Sequence, residues 1–369
     1  MSQFDIAIIG AGIAGASLAA NLPPGSRVLL LEAEDHPGYH ATGRSAAFWS
    51  ETYGGPDVQP LTSASRAFLE APQPQFAPNG FLTHCGGLHL STDAQAPLAQ
   101  NMLDAFAGSG VELGRMESSA LDAILPGRRP GWDVGLWEPD CCDIDAGALH
   151  NHYLAVARRK GVRLSVRAGV KAITRRSDGW LLDTAAGSIE AATIVNAAGA
   201  WADEVAIMAG MQPVGITPYR RTMLQLRMVD PVPESLPLVV GLDGSFYFKR
   251  ESGVRIWLSP HDETASPPCD AAPDEVDVAR AIDRLETVLT WRIASVERKW
   301  AGLRSFSSDR LPVIGPSPED RAFFWLAGQG GFGMQTAPAI AKIAASLLQG
   351  GTPQLIGVDH RRYLPDRLH

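Results

Sequence analysis

The apolar positions of this chain come in two textures. Near the N-terminus they form short unbroken runs that end on glycine or an acid. Phe-Asp-Ile-Ala-Ile-Ile-Gly at 4–10 and Arg-Val-Leu-Leu-Leu-Glu at 27–32 read as strands buried on both faces, the mark of a parallel sheet. Between them, residues 12–22 predict a helix that Pro23, Pro24 and Gly25 terminate. The three pieces make a βαβ unit. From about 50 to 140 proline, glycine and polar residues increase and periodicity weakens, as in an inserted region. Helical spacing returns over 145–160 through Leu149, Tyr153 and Ala157. Val162–Val166 and Val170–Ile173 predict short strands. Trp180–Thr184 and Ser188–Glu190 predict a hairpin around Ala-Ala-Gly, and Thr193–Asn196 a further apolar strand. Residues 218–260 alternate apolar and polar, which predicts antiparallel sheet. Residues 274–294 carry helical spacing (Val278, Ile282, Leu285, Leu289). Phe323–Leu326 predicts a strand that runs into a glycine-rich turn and a helix over 334–349.

Composition narrows the class. With 45% hydrophobic and 20% charged residues among 369, the chain has ample apolar material for a core, and its length predicts two structural units. A net charge of −8 gives no electrostatic footprint for nucleic acid. Asp5 interrupts the first apolar residues and no basic region precedes them, so no secretory signal is expected. The longest apolar stretches, 191–211 and 337–348, carry Asp203, Glu204 and Lys342, so no integral membrane segment is expected either. Cys85, Cys141, Cys142 and Cys269 show no Cys-x-x-Cys spacing, and adjacent Cys141 and Cys142 read as buried small hydrophobes. The expectation is a reduced, cytoplasmic chain with no metal site.

The candidate chemistry begins at Gly10, Gly12 and Gly15, a G-x-G-x-x-G turn with Ile13 and Ala14 inside it. It leaves a buried strand and opens a helix. The first glycine allows the tight turn, the second the approach of a pyrophosphate, the third close packing of helix on strand. The helix N-terminus turns free N–H groups and a positive dipole end to the phosphates. Glu32, followed by Ala33, ends the second strand, where a carboxylate accepts hydrogen bonds from ribose hydroxyls and repels a 2′-phosphate. Two later segments favour FAD over NAD. One is His40-Ala-Thr42-Gly43-Arg44-Ser45-Ala46-Ala47. The other is Gly328-Gln-Gly330-Gly331-Phe332-Gly333, continuing into Met334, Gln335 and Thr336. Glycines there let backbone lie against a flat ring, and the helix start would stabilise negative charge on the reduced flavin.

With Gly38–Ala47, Asp143–Leu149, Asn196-Ala-Ala198-Gly199-Ala-Trp201, Trp300-Ala-Gly302-Leu-Arg304-Ser-Phe306 and Gly328–Thr336, the chain resembles the D-amino-acid oxidase superfamily of FAD enzymes over essentially its whole length. Within it, the resemblance runs to the bacterial D-arginine dehydrogenase type. It implies an α/β fold: a Rossmann-type FAD-binding domain from 1–50, 140–215 and 301–369, and an α+β antiparallel-sheet substrate domain from 51–139 and 216–300. It also implies non-covalent FAD, with the backbone of Val170 pairing with adenine.

The same resemblance assigns the substrate site. Arg221 and Arg304 match arginines that hold a substrate carboxylate, a task suited to a planar, permanently charged fork. Arg220 is the alternative to Arg221, since strand alternation lets only one face the pocket. Tyr53 and Tyr247 match tyrosines that reach the carboxylate and close the site; Gln335 and the Gly331 carbonyl match groups beside the amine. Two positions depart from the D-arginine pattern. Gly87 stands where the family carries an acid that grips a cationic side chain, and Phe48, followed by Trp49, replaces a pocket histidine. A buried cation without that acid would be prohibitive, so a neutral or aromatic D-amino acid is expected. The implied reaction oxidises the α-carbon to an imine that hydrolyses to a 2-keto acid and ammonia, with oxygen or a quinone as electron acceptor. His40, His84 and His89 are near in sequence only, and no residue is clearly placed as a general base. The same arginines would serve oxidation of a 2-hydroxy acid, glycine or an N-methyl amine, and a flavin-binding subunit without its own chemistry is the reading from another class.

Overall fold

The computed structural model describes residues 3–72 and 79–368. The βαβ unit forms as its pattern requires: strand Phe4–Ile9, helix Ile13–Asn21 and strand Val28–Leu31. Both strands are parallel neighbours and are buried on both sides. Period-two alternation divides them cleanly. Ile8, Val28 and Leu30 enter a core shared with helices Ile13–Asn21, Ala146–Arg159 and Gly333–Leu348. Ala7, Ile9, Leu29 and Leu31 enter a second core, with Trp180, Leu182 and helix Ala202–Met208 on the other face.

This first sheet has eight strands. Gly187–Asn196 lies beside Phe4–Ile9 and also takes Phe323–Ala327 as a parallel neighbour, so the chain's last quarter returns to the first sheet. One detail differs from the expected hairpin. Ser188–Glu190 and Thr193–Asn196 are one ten-residue strand, Gly187–Asn196, because its outer half pairs with Gly179–Thr184 while its apolar inner half enters the parallel sheet. Strand Val313–Pro316 was not anticipated; it pairs antiparallel with Phe323–Ala327.

The second sheet has nine strands. Its longest ladder is the antiparallel pair Thr217–Met228 and Ile293–Phe306 at one edge, running from Thr217↔Phe306 to Met228↔Ile293 with register shifts at Gln225/Leu226 and Arg227/Met228. Contrary to the all-antiparallel expectation, Leu238–Gly241 pairs parallel with Gly87–Ser91. That junction joins the two sequence-distant stretches into one sheet. The 50–140 region is also more regular than its composition predicts, with helices Gln59–Glu70 and Ala96–Phe106 and strands Gly87–Ser91 and Val134–Glu138. Helix Glu275–Val288 ends earlier than its spacing predicts, because residues from Ile293 onward belong to the long strand. Leu88, Leu90, Leu224, Leu226, Phe248 and Leu258 pack with Val278 and Leu285 under this sheet. No helix among the described residues is long and apolar enough to cross a membrane.

Close helix-on-strand packing at the first turn depends on the absence of one methyl group. A Cβ on Gly15 would run into the Gly10 carbonyl oxygen and lie 3.1 Å from Ile8 Cγ2. A Cβ on Gly147, in helix Ala146–Arg159, would meet nothing closer than 3.6 Å. Gly15→Ala is therefore expected to lower the unfolding free energy by at least about 2 kcal/mol. Gly147→Ala should be neutral or gain up to about 1 kcal/mol. Denaturant titrations of the two variants beside wild type check the contrast.

Candidate active site

A cleft of about 510 Å³ runs from the first sheet to the second. At one end lies the glycine turn. Gly10 has φ of 103°, and Gly12 is the N-cap of helix Ile13–Asn21, which has no side-chain cap and no acid in its first turn. Glu32 sits beside it, half-claimed: Oε2 accepts from Ala11 N at 3.1 Å and Oε1 from Glu34 N at 3.1 Å. Thr42 Oγ1 accepts from Ile13 N at 3.0 Å and pins the following segment over the turn. Ala33, Val170, Ala198, Gly199 and Trp201 line the same end.

Along the middle, Arg44 clasps the two sheets together. Its Nη1 donates at 3.0 Å to both Ala271 O and Ala301 O, Nη2 pairs with Asp270, and Gly302 packs against its Cβ. Ser45 Oγ accepts from Ala47 N at 3.1 Å, and Ala47 holds a φ of 45°, a region that non-glycine residues visit sparsely. At the far end Gly328, Gly330, Gly331, Phe332 and Gly333 lead into helix Gly333–Leu348, again with no side-chain cap and no acid in its first turn. Two helix N-termini whose N-cap residues give no side-chain cap thus open on one cleft, with a strand-end carboxylate at one extremity. That arrangement fits a dinucleotide carrying a pyrophosphate near one end and an electron-accepting ring at the other.

The substrate-side residues come from the second sheet. Arg221, Met223 and Tyr219 share a face of Thr217–Met228, and Arg304 lies directly opposite Tyr219 on Ile293–Phe306. Arg220 points the other way, its Nη2 donating to Asp277 at 2.7 Å, which resolves the alternation in favour of Arg221. Arg221 is buried, with Nε held by the Asp262 carbonyl at 2.9 Å and the guanidinium 5.9 Å from the Tyr247 ring centroid. Its Nη1 and Nη2 have no hydrogen-bond partner. Arg304 Nη1 donates to Tyr53 Oη at 2.9 Å. Gly331 makes room for this pair: a Cβ there would lie 2.5 Å from Tyr53 Oη and 2.7 Å from Arg304 Nη1.

Burial raises both tyrosine pKa values, that of Tyr247 to about 12, against the opposing pull of Arg221, so both remain neutral hydroxyls. Phe48 packs edge-on against Tyr53 and Tyr247 at centroid distances of 4.8 and 5.8 Å. Ala46, Phe48, Cys141, Met223, Leu238 and Tyr247 form one apolar cluster at this end.

Not every expected residue lines the cleft. The Trp49 indole turns into the first core and donates to Thr62 O at 3.1 Å. Gly87 lies opposite Glu138 on the next strand and against Cys141. Gly15 and Gly43 support turns behind the lining, and Thr336 Oγ1 donates back to Phe332 O at 2.8 Å. Gln335 is buried: Oε1 accepts from Ser50 N at 3.2 Å, and Nε2 donates to Tyr53 O and Thr62 Oγ1 at 3.1 and 2.9 Å. It ties the last helix to the loop that carries Tyr53.

Two groups escaped the sequence reading. Glu138 is 1% exposed yet ionised. It accepts from Ser50 Oγ, Thr52 Oγ1 and Glu51 N at 2.9, 2.7 and 2.7 Å, and from His89 Nε2 at 3.0 Å. It thereby holds the same 50–53 loop from the opposite side. His261, at φ 55°, packs 5.5 Å from the Tyr247 ring and 6.4 Å from that of Tyr53. Its Nδ1 lies 2.6 Å from Gly244 O, so Nδ1 carries the proton. Burial, then the nearby Arg221, push its pKa down to about 3, so the ring adds no cation. No local pattern signals either residue; their partners lie tens to hundreds of positions away. Among the described residues no cluster of His, Cys, Asp and Glu could hold a metal ion.

The model of the DAO family, FAD dependent oxidoreductase, matches residues 5–347. The chain is 30% identical over 255 residues to mitochondrial dimethylglycine dehydrogenase of Mus musculus, covering 62% of this chain and 29% of that one. It therefore spans less than a third of the length of that relative. Among solved structures it superposes on glycine oxidase from Geobacillus kaustophilus with a TM-score of 0.84 at 23% identity, covering 99% of this chain and 98% of that one. L-proline dehydrogenase from P. horikoshii gives a TM-score of 0.84 at 21% identity, with the same coverages.

Burial works to raise the Glu138 pKa, but the contacts from His89, Thr52 and Ser50 outweigh it and hold the carboxyl below its ordinary 4.5. The folded state thus binds this proton less tightly than the unfolded chain. The stabilisation is fully present above about pH 4.5 and is lost as pH falls through the depressed folded value. Glu138→Gln should cost about 2 kcal/mol at neutral pH, and the gap to wild type should narrow below about pH 4.5. Thermal unfolding of both proteins across pH 3.5–7 checks the size and the sign.

Proposed function

The chain belongs to the DAO family of FAD-dependent oxidoreductases, and on that footing we propose that it oxidises the α-carbon of a D-amino acid with a neutral or aromatic side chain. Arg221 carries this reading. Its buried guanidinium faces the cleft with Nη1 and Nη2 free of hydrogen bonds and only a 3.5 Å ion pair to Glu263, and a substrate carboxylate matches that fork. Arg304 adds a second positive charge close by, and the neutral hydroxyl of Tyr53, which accepts from Arg304, keeps its own hydrogen to donate; that of Tyr247 points to Met223 Sδ at 2.9 Å. The apolar wall of Phe48, Met223 and Leu238 suits a neutral side chain. Asp143, the cross-strand partner of Phe48, is paired with Lys249 at 2.6 Å, and Glu138 is saturated by its own partners, so neither is open to a cationic side chain.

FAD, held without a covalent bond, supplies the two-electron acceptor. The glycine turn and the start of helix Ile13–Asn21 would hold its pyrophosphate, Glu32 its ribose hydroxyls and the Val170 backbone its adenine. Gly330–Gly333 and the start of helix Gly333–Leu348 would hold the ring. The arginines fix the substrate carboxylate and the Gly331 carbonyl orients the amine, while Gln335, its amide bonded to Ser50, Tyr53 and Thr62, holds the loop of Tyr53 in place. The pocket needs no strong base, because the substrate enters with its amine already neutral. The imine leaves and takes up water to give the 2-keto acid and ammonia. A second reading, an N-methylated glycine, is supported by the identity with dimethylglycine dehydrogenase, and the same arginines would serve it.

The test is anaerobic bleaching of the bound flavin by D-amino acids, L-amino acids, N-methylglycines and 2-hydroxy acids. A neutral D-amino acid is expected to react fastest; D-arginine turning over faster than D-phenylalanine, D-leucine and D-methionine would sink the assignment. Arg221→Met should lower kcat/KM by roughly 10²–10³-fold, the cost of removing a buried charge partner, while FAD content stays at the wild-type level. Equal loss of FAD would contradict the assigned role.

A further inference from the structure

Three guanidiniums gather at the substrate end of the cleft, graded in depth. The Arg221 side chain is 5% exposed, that of Arg304 12% and that of Arg310 49%. Two carboxylates stand by them. Asp262 Oδ1 lies 3.9 Å from Arg221 Nε, and Glu263 reaches all three arginines. Glu263 Oε1 accepts from Arg304 Nη2, and from Arg310 Nη2 at 2.9 Å. It lies 3.5 Å from Arg221 Nη2 without hydrogen-bonding to it. The outer pair is therefore hydrogen-bonded to Glu263, and Nη1 and Nη2 of the inner arginine have no hydrogen-bond partner.

Glu263 is not a wandering surface acid. The preceding residue is fastened to the strand that carries Arg221: Asp262 accepts from Thr222 N at 2.7 Å and Thr222 Oγ1 at 3.0 Å, and its carbonyl holds Arg221 Nε. One residue earlier, His261 is anchored on Gly244 O. The segment that orients the vacant fork thus also places the carboxylate beside it.

Resting on the reading of Arg221 as a carboxylate site, we propose that Glu263 is a specificity-determining residue: it fills the outer half of the arginine cluster, so that the site accepts one carboxylate and rejects a second. A dicarboxylate would bring its second anion to the Glu263 carboxylate, where like charge repels it and where Arg304 Nη2 and Arg310 Nη2 are already bonded to Glu263. A monocarboxylate needs only Arg221 Nη1 and Nη2, the second of which faces Glu263 at 3.5 Å without a hydrogen bond.

Acetate and malonate, which this oxidation cannot consume, are suitable probes on the FAD-loaded protein, by calorimetry or perturbation of the flavin absorption band. Wild type should bind acetate at least as tightly as malonate. Glu263→Gln, nearly isosteric, should tighten malonate about tenfold or more while acetate shifts less than about threefold. Adding Arg310→Gln to that variant should reverse most of the malonate gain. Glu263→Asp, which keeps the charge but draws it back, should stay near wild type. Equal tightening of both anions would overturn the proposal, since Glu263 would then merely compete for Arg221. So would unchanged affinities in Glu263→Gln, or in Glu263→Ala should the first variant not fold. Acetate binding that survives Arg221→Met would instead sink the carboxylate site itself, whatever Glu263 does.

Discussion

Twelve cross-strand pairs join Thr217–Met228 to Ile293–Phe306, and the site depends on their register. A strand presents alternate side chains to one face, so a slip of one residue would turn Arg220 into the cleft and bury Arg221 against helix Glu275–Val288. The register is held from both faces. Below, Leu224 and Leu226 are locked in the core under the second sheet, and Arg220 is paired with Asp277. Above, Met223 packs with Phe48 and Tyr247, and Trp300 Nε1 donates to Arg44 O at 3.1 Å. The last contact matters because Arg44 belongs to the segment lying over the glycine turn. The strands that carry Arg221 and Arg304 and the segment over the glycine turn are therefore fixed against each other.

A second frame sets Tyr53. Its loop carries no regular structure of its own between Phe48–Trp49 and helix Gln59–Glu70. Order is imposed by two buried polar side chains that grip it from opposite sides, Gln335 from the last helix and Glu138 from the second sheet. Each is fully engaged, and this is the condition under which a buried polar group rigidifies its surroundings. The result is a phenol held 2.9 Å from a guanidinium at a glycine whose missing Cβ leaves just enough space.

How far the sequence carries depends on the range of the signal. The glycine turn, Glu32 and the buried strands are local: spacing, chain order and chemistry all lie within about thirty residues, and the fold follows them. The long strand to Phe306 was legible only at its end, as a motif around Arg304. Its first half, Ala294 to Lys299, is largely exposed, so apolar alternation has nothing to report there. Trp49 and Gly87 show a different limit. A position can match a pocket residue in a family and still turn elsewhere, because alternation along Phe48–Trp49 gives the cleft to Phe48 and the core to Trp49. Glu138, His261 and Glu263 gave no signal at all. Each gains its meaning from partners brought together by the antiparallel pairing of Gly87–Ser91 with Val134–Glu138 or by the loop after Ser259, and neither is written in periodicity.

The charge pattern also bears on why the proposed reaction dispenses with a base. The groups around the Arg221 fork are permanent cations, the neutral hydroxyls of Tyr53 and Tyr247, the His261 ring held neutral by burial and by Arg221 itself, and two carboxylates. Both carboxylates are engaged elsewhere, Asp262 by Thr222 and Glu263 by the outer arginines. An ammonium group entering such a site would face like charge and desolvation with no carboxylate to receive it, and both effects favour its neutral form. The same field that draws in the carboxylate of a zwitterion therefore presses its amine to give up a proton to solvent on entry. Recognition and activation of the substrate would then be two consequences of one arrangement, fixed by the strand register and needing no further group.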